Sequence, residues 1–201
     1  MTKLGVIGGT FDPPHIGHLI ISQEALTELN LDKVILVPAG RPLLKNRKVT
    51  AASLRWEMLN LAIASNPCFY SSREEIDREG PSYTVDTIKK LKKDLGKSAE
   101  IYLIIGMDVF LDMERWKNPE EIIRLCHIAV AKRPTHVKRR VTDLEKALPS
   151  IKSRYSFINA PVIDVSSTCI RRRVKEGISI KYLVPESVEN FIKEKGLYRG
   201  R

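Results

Sequence analysis

The sequence predicts an α/β fold in which helices cover both faces of a doubly wound, mostly parallel sheet. Short apolar runs of strand length alternate with longer amphipathic runs of helix length along the chain. Turn residues separate these runs, and no repeat or low-complexity tract interrupts the alternation. Strands that follow one another through a helix run parallel, and such sheets bind ligands beyond the carboxyl ends of their strands, where the strand order reverses.

Short apolar runs mark the expected strands. The run 33–37 is continuously apolar, as is typical of a strand buried on both faces of a parallel sheet. The run 3–7 leads into two glycines and the run 100–105 leads into Gly106, so both deliver a turn to one edge of the sheet. We expect strands at 3–7, 33–37, 68–71, 100–105 and 127–131, with short extended pieces at 155–158 and 162–164.

Amphipathic segments between these runs are the expected helices. Thr50 or Ser53 is the expected cap of the second helix. Gly96 follows the third helix, and Pro119 opens the fourth. We expect helices at 17–29, 52–65, 83–95, 119–125, 141–148, 167–176 and 186–195.

Length and composition indicate a globular chain. The 201 residues, 43% hydrophobic and 29% charged, suit one domain over 1–201, whose C-terminal portion is helical from about residue 166. No apolar run approaches the ~20 residues that cross a bilayer, and Gly8, Gly9 and Asp12 break the first apolar stretch. We therefore expect a cytoplasmic protein without a membrane partner, and a homo-oligomer is compatible with the sequence.

The three cysteines are expected to be structural thiols. Cys68, Cys126 and Cys169 lie far apart and form no Cys-x-x-Cys pair. This spacing argues against a zinc ribbon, a redox pair and a disulfide framework.

A net charge of +10 leaves two function classes open, a nucleic-acid-binding protein and an enzyme with polyanionic ligands. The basic residues are spread along the chain, and aromatic residues make up only 6% of it. Because no aromatic residues alternate with basic ones, a stacking platform for bases is not expected. We favour the enzyme and expect no nucleic-acid partner.

The segment Gly8-Gly9-Thr10-Phe11-Asp12-Pro13-Pro14-His15-Ile16-Gly17-His18 predicts a phosphate site. Glycines let the backbone approach a ligand, and a helix N-terminus offers N–H groups and a positive dipole end. His15 and His18 are three residues apart, so both rings can reach one polyphosphate. The alternative is an ordinary strand-to-helix turn with capping or surface histidines.

A second segment, Val165-Ser166-Ser167-Thr168-Cys169-Ile170-Arg171, stands where a late helix begins. Its hydroxyl groups can cap the helix or bind phosphate, and Arg171 can place a forked guanidinium on phosphate oxygens. The alternative is a plain helix cap followed by a surface arginine.

These two segments resemble the signatures of the HxGH nucleotidyltransferase superfamily, with Val165 in place of Ile in the motif I-S-S-T-x-I-R. Three further segments resemble the nicotinate-mononucleotide adenylyltransferases of that superfamily. They are Gly80-Pro81-Ser82-Tyr83-Thr84-Val85-Asp86-Thr87, Ile105-Gly106-Met107-Asp108 with Phe110 and Trp116, and Ala131-Lys132-Arg133-Pro134.

The resemblance implies a Rossmann-like fold and the transfer of an adenylyl group from ATP to nicotinate mononucleotide, giving deamido-NAD and pyrophosphate. Implied catalytic residues are His15, His18 and Arg171. Implied ATP-binding residues are Gly8, Gly9, Thr10, Phe11, His15, His18, Lys45, Gly106, Asp108, Ser166, Ser167, Thr168 and Arg171. Implied mononucleotide-binding residues are Tyr83, Thr84, Trp116, Lys117 and Arg133.

The resemblance also implies Mg²⁺ that arrives with ATP, no tightly bound cofactor and no metal site built from protein ligands. Nicotinamide mononucleotide as the preferred substrate and phosphopantetheine adenylyl transfer remain the alternatives. The loop Arg41–Lys48 departs from the family pattern P-P-H-K, because Leu44 stands where the family has histidine, although Lys45 is retained as a candidate phosphate ligand.

Overall fold

Six parallel strands form one sheet among residues 2–42, 49–96, 98–132 and 140–199, the ranges that the computed structural model describes. The order across the sheet is 3-2-1-4-5-6 in strand numbers, which is the doubly wound, Rossmann-like order. The strands are β1 (Lys3–Gly9), β2 (Lys33–Pro38), β3 (Phe69–Ser71), β4 (Glu100–Gly106), β5 (His127–Ala131) and β6 (Tyr155–Ile158).

A crevice opens between β1 and β4, where the strand order reverses. The β1–β2 ladder continues to Gly9 opposite Pro38, and the β4–β5 ladder continues to Gly106 opposite Ala131. The β1–β4 ladder ends earlier, at Val6 opposite Leu103. The carboxyl ends of the two central strands therefore separate, as expected for the ligand crevice of such a sheet.

Helices pack on both faces of the sheet, and none of those in the described ranges is long and apolar enough to cross a membrane. Two short 3-10 turns occur at Met113–Arg115 and Pro149–Ser153. The α-helices are α1 (Ile16–Glu28), α2 (Ala52–Ile63), α3 (Glu74–Asp77), α4 (Thr84–Leu95), α5 (Met107–Leu111), α6 (Pro119–Leu125), α7 (Val141–Ala147), α8 (Ser167–Lys175) and α9 (Glu186–Glu194).

The hydrophobic core has two parts, one on each face of the sheet. Successive strand residues point to opposite faces, so Leu103 packs in one cluster with α4 and α6 while Ile104 packs in the other with α2 and α9. Cys126 belongs to the first cluster, and burial raises the pKa of its thiol to about 12. This thiol stays protonated at neutral pH, in agreement with a structural role.

Most sequence-predicted elements are confirmed, and the expected cap of the second helix is wrong. Its N-cap is Ala51, without a side-chain cap, so neither Thr50 nor Ser53 has this role. Residues 162–164 form no strand of the sheet. The short helices α3 and α5 are additions to the expected elements.

Candidate active site

The segment after β1 forms a turn, which we call the cradle (residues 8–18). Phe11 adopts a left-handed backbone conformation, with φ +48°, and its side chain is buried. Its ring lies beside Gly9, where a Cβ atom would come within 3.1 Å of it, and it meets the His18 ring edge-on at 4.9 Å between centroids. Phe11 thus supports the cradle from inside the protein.

The structure brings the two histidines of the cradle together. His15 is the N-cap of α1, and its ring stacks on the His18 ring with 3.7 Å between centroids. The His15 N–H donates to His18 Nδ1 at 3.2 Å. Because Nδ1 accepts this bond, a neutral His18 carries its proton on Nε2, which makes Nε2 a hydrogen-bond donor.

Two backbone N–H groups at the start of α1 are bonded within the protein. The Ile16 N–H donates to the Leu183 carbonyl oxygen at 3.1 Å, and the His18 N–H donates to the His15 carbonyl oxygen at 3.0 Å. These two groups are therefore not presented to phosphate. Phosphate binding at this helix start stays a prediction, which rests mainly on the side chains of the cradle.

Hydrogen bonds join the second sequence motif to the cradle. Ser167 Oγ donates to the Pro13 carbonyl oxygen at 2.8 Å, and Arg171 Nη1 donates to the Asp12 carbonyl oxygen at 2.7 Å. Arg171 Nη2 also donates to Thr168 Oγ1 at 3.0 Å. The two motifs thus form one structural unit, and Arg171 is half-buried rather than a solvated surface residue.

Ser166 has the capping role that the sequence allowed. Its hydroxyl oxygen accepts a hydrogen bond from the Cys169 N–H at 3.2 Å and caps α8. Across the crevice, Gly106 is the N-cap of α5 and Asp108 lies in the first turn of that helix. Asp108 is therefore not an N-cap, and it stands beyond the carboxyl end of β4.

The segment that contains the residues predicted for the mononucleotide is bonded to the turn after β2. Ser82 Oγ accepts hydrogen bonds from the Gly40 N–H at 3.0 Å and the Arg41 N–H at 3.2 Å. On the next residue, the Tyr83 ring lies 4.2 Å from Lys117 Nζ. Trp116 and Tyr83 both pack, half-buried, against the same core cluster.

Sequence reasoning missed one central residue of this edge, Arg55 on α2. Its buried guanidinium donates to the carbonyl oxygens of Thr10 at 2.8 Å and Ala39 at 2.6 Å, while Nε donates to Thr50 at 2.9 Å. Arg55 therefore fastens the turns after β1 and β2 to each other. The available signal was one arginine on the apolar face that Met58, Leu59 and Ala62 define.

Three predicted positions lie outside the described residues. They are Lys45 and Leu44 in the loop after β2, and Arg133 after β5.

The comparisons with known proteins agree with this geometry. The cytidylyltransferase-like family model matches residues 6–173. A probable nicotinate-nucleotide adenylyltransferase from Moorella thermoacetica is 45% identical over 201 residues, covering 99% of this chain and 93% of that protein. The same name belongs to a Dehalococcoides mccartyi relative that is 41% identical over 197 residues, covering 98% of this chain and 97% of that protein.

The chain belongs to the nicotinate-nucleotide adenylyltransferase family.

Solved structures confirm the fold of this family member. A Plasmodium falciparum nicotinic acid mononucleotide adenylyltransferase complexed with NaAD superposes with a TM-score of 0.78 at 20% identity, covering 98% of both chains. The same enzyme complexed with APC superposes with a TM-score of 0.77 at 19% identity, again covering 98% of both.

Within the described ranges of this family member, no cluster of three or more His, Cys, Asp or Glu side chains suits a metal ion. The cradle assembles imidazole and guanidinium groups, which match phosphate oxygens, and the Asp12 carboxylate is buried against the Tyr198 hydroxyl. These groups suit the phosphate oxygens of ATP, which would carry a Mg²⁺ ion into the site.

Gly8 gives a test of close ligand approach to the cradle. A Cβ atom at Gly8 would meet no atom within 4 Å, so Gly8→Ala is expected to leave the melting temperature unchanged. If ATP approaches this backbone, the added methyl group raises KM for ATP severalfold. Thermal unfolding and steady-state kinetics measure both quantities, and an unchanged KM would contradict close approach at Gly8.

Proposed function

We propose that this chain joins ATP and nicotinate mononucleotide to give deamido-NAD and pyrophosphate, a step of NAD biosynthesis. The observation that carries the proposal is the junction of the two distant motifs, through Ser167 and Arg171, at the crevice where the strand order reverses. The names of the full-length relatives support the choice of substrates.

The proposed reaction is a direct adenylyl transfer. A phosphate oxygen of the mononucleotide attacks the α-phosphorus of ATP in line, and the bond from that phosphorus to the oxygen bridging to the β-phosphate breaks. Pyrophosphate leaves with the electron pair of that bond. Since a phosphate dianion is already nucleophilic at pH 7, the protein needs no side-chain nucleophile, and positioning and charge neutralisation supply the catalysis.

The cradle would bind the ATP phosphates. His18 donates from Nε2, the nitrogen left protonated by its bond with His15, toward charge that develops on the α-phosphate. His15, Arg171 and Lys45 hold further phosphate oxygens, and the backbone at 8–10 lies alongside the nucleotide. Gly106 and Asp108 face the adenosine, with the Asp108 carboxylate accepting hydrogen bonds from ribose hydroxyls.

Mg²⁺ bound to the β- and γ-phosphates would neutralise charge on the leaving pyrophosphate. The hydroxyl groups of Ser166, Ser167 and Thr168 stand at the start of α8, and that of Ser167 bonds to the cradle. In the proposal, these hydroxyl groups fix the junction between the cradle and α8, and they fix the Arg171 guanidinium. Thr168 and the Asp12 carbonyl oxygen orient that guanidinium.

The pyridine end of the mononucleotide would lie near Tyr83, Thr84, Trp116 and Lys117, and Arg133, which follows β5 in the sequence, would bind it as well. Backbone N–H groups beside these residues would bind the nicotinate carboxylate, and the indole of Trp116 would stack on the ring. Half-burial of Trp116 against the core supports this arrangement, because one face of the indole is held while part of it stays accessible.

Trp116→Ala is expected to raise KM for nicotinate mononucleotide about tenfold, since stacking on an aromatic side chain contributes roughly 1–3 kcal/mol per base. KM for ATP should change less than twofold. Steady-state kinetics with each substrate varied in turn measures the split. Equal rises in both KM values would mean that Trp116 serves the fold and not the pyridine ring.

One assay separates the proposal from its alternatives. Pyrophosphate release from ATP is measured with nicotinate mononucleotide, nicotinamide mononucleotide and phosphopantetheine, and the proposal requires the highest kcat/KM for the first. A higher kcat/KM for nicotinamide mononucleotide or for phosphopantetheine would mean that this compound is the substrate.

The same proposal treats 1–201 as one cytoplasmic domain that needs no nucleic acid. Salt-sensitive binding to duplex nucleic acid without adenylyl transfer would contradict it.

A further inference from the structure

The C-terminal segment of the chain reaches the cradle. Tyr198 donates a hydrogen bond from its hydroxyl to Asp12 Oδ1 at 2.8 Å, across 186 residues of sequence. The same hydroxyl contacts Met58 Sδ on α2 at 3.9 Å. One phenol group thus links the cradle to α2 and to the end of the chain.

The approach of Tyr198 is fixed by the helix that precedes it. Ser187 Oγ at the start of α9 donates to the Leu61 carbonyl oxygen of α2 at 3.0 Å. After α9, the Leu197 N–H donates to the Ile192 carbonyl oxygen at 3.0 Å, and Tyr198 adopts φ +62°. A tyrosine in this left-handed conformation is strained, so surrounding contacts must hold it there.

The Tyr198 side chain makes contacts that can hold this conformation. The ring packs, half-buried, against the core cluster that contains Phe11 and Met58. Burial, together with the neighbouring Asp12 carboxylate, raises the pKa of the Tyr198 hydroxyl well above its ordinary value. The hydroxyl therefore remains protonated and remains a hydrogen-bond donor at every pH at which the enzyme would work.

The cradle needs such support because its own backbone is strained at Phe11, where φ is +48°. Carbonyl oxygens on either side of Phe11 accept bonds from Arg55, at Thr10, and from Arg171, at Asp12. The Asp12 side chain accepts from Tyr198. Of these three residues, Arg55 and Arg171 hold the backbone of the cradle, and Tyr198 holds one of its side chains.

We propose that Tyr198 is a positioning residue for adenylyl transfer, which acts through Asp12 to hold the cradle in the conformation that binds the ATP phosphates. This inference rests on the proposed function of the cradle. Tyr198 does not touch substrate in this assignment. Its hydroxyl fixes Asp12, and Asp12 directly precedes the Pro13-Pro14 pair that leads to His15.

Tyr198→Phe tests the proposal because it removes the hydroxyl and keeps the ring. We expect kcat with ATP and nicotinate mononucleotide to fall about tenfold, since one hydrogen bond to a charged group is lost and small misplacements of reacting groups are costly. KM for ATP should rise more than KM for the mononucleotide. The dissociation constant for ATP, measured by calorimetry without the second substrate, should also rise severalfold.

Tyr155→Phe is the matched control. Tyr155 likewise donates its hydroxyl to a carboxylate, Glu145 Oε1 at 3.0 Å, but it begins β6, an edge strand three positions from β1. This variant loses the same type of bond and should keep the kinetic constants of the parent chain. A fall in kcat equal to that of Tyr198→Phe would show a general stability effect and overturn the positioning role.

A double-mutant cycle with Asp12→Ala tests the route of action. If Tyr198 acts through Asp12, then adding Tyr198→Phe to Asp12→Ala lowers kcat by less than twofold further. Full additivity of the two losses would overturn the proposal, and so would unchanged ATP affinity in Tyr198→Phe. A parent chain that binds ATP but forms no dinucleotide would refute the proposed function, while the ATP affinities of the same variants still decide the role of Tyr198.

Discussion

Replacing His18 by alanine is expected to lower kcat by about 10²–10³-fold, the loss typical of removing one donor that stabilises developing charge. His18 Nδ1 accepts from the His15 N–H, which leaves Nε2 as the donor toward the α-phosphate. KM values should change far less than kcat, because the lost interaction is strongest in the transition state. Steady-state kinetics that showed less than a tenfold loss would remove His18 from the catalytic set.

Two further variants isolate the chemical role of His18 from its structural one. In His18→Asn, the amide oxygen can still accept from the His15 N–H, but no group reaches the position of Nε2. The His18→Asn variant should fold normally, and its kcat should fall nearly as far as that of His18→Ala. His127→Ala is the distant control, because His127 is the first residue of β5 and lies at the end of the sheet away from the cradle, so its removal should leave kcat unchanged. Burial, with a smaller contribution from Arg154, lowers the pKa of His127.

Replacing Gly40 by alanine is expected to destabilise the protein by about 3 kcal/mol, the upper range for inserting a methyl group into packed surroundings. A Cβ atom at Gly40 would lie 2.0 Å from the Glu75 carbonyl oxygen, so the turn after β2 must separate from α3. For a chain of this length, the melting temperature should fall by roughly 6–12 °C.

Activity should fall together with stability in Gly40→Ala. Gly40 donates its N–H to Ser82 Oγ, and its neighbour Ala39 accepts from Arg55. Moving the turn therefore disturbs the anchor beside Tyr83 and the link to the cradle. Gly8→Ala, whose Cβ meets no atom within 4 Å, is the matched stability control, and a melting temperature for Gly40→Ala within 2 °C of it would contradict the close packing described here.

The sheet and its binding edge were predictable because their signals are local. Each central strand is a continuous apolar run, and β1 and β4 end in the glycines that mark the turns of the crevice. The junction of the two motifs, made by the bonds of Ser167 and Arg171, joins distant parts of the chain, and no local pattern indicates it.

The residues that sequence reasoning missed act over long distances in the chain. Arg55 bonds to backbone carbonyl groups, which leave no trace in the identity of the residues that carry them. Tyr198 meets its partner Asp12 only after the whole fold has formed. The unexpected helices α3 and α5 are single turns, too short to show a helical period.

The predicted cap of α2 is wrong, and the start of α1 shows a related effect. Thr50 has the right side chain for a cap, but Ala51 holds the N-cap position, and the Thr50 carbonyl oxygen accepts a hydrogen bond from Arg55. The Ile16 N–H of α1 likewise finds the Leu183 carbonyl oxygen from a distant turn. Local capping rules state which groups need partners, and the tertiary fold determines which partners they receive.

Pyrophosphate release from ATP is the most direct test of the adenylyl transfer assigned to the cradle. The purified chain is incubated with Mg²⁺ and ATP, with and without nicotinate mononucleotide, and pyrophosphate and dinucleotide are quantified together. Adenylyl transfer at the cradle predicts pyrophosphate release only when the mononucleotide is present, with one deamido-NAD formed for each pyrophosphate. Absence of release with nicotinate and nicotinamide mononucleotides alike, from a folded protein that binds ATP, would contradict it.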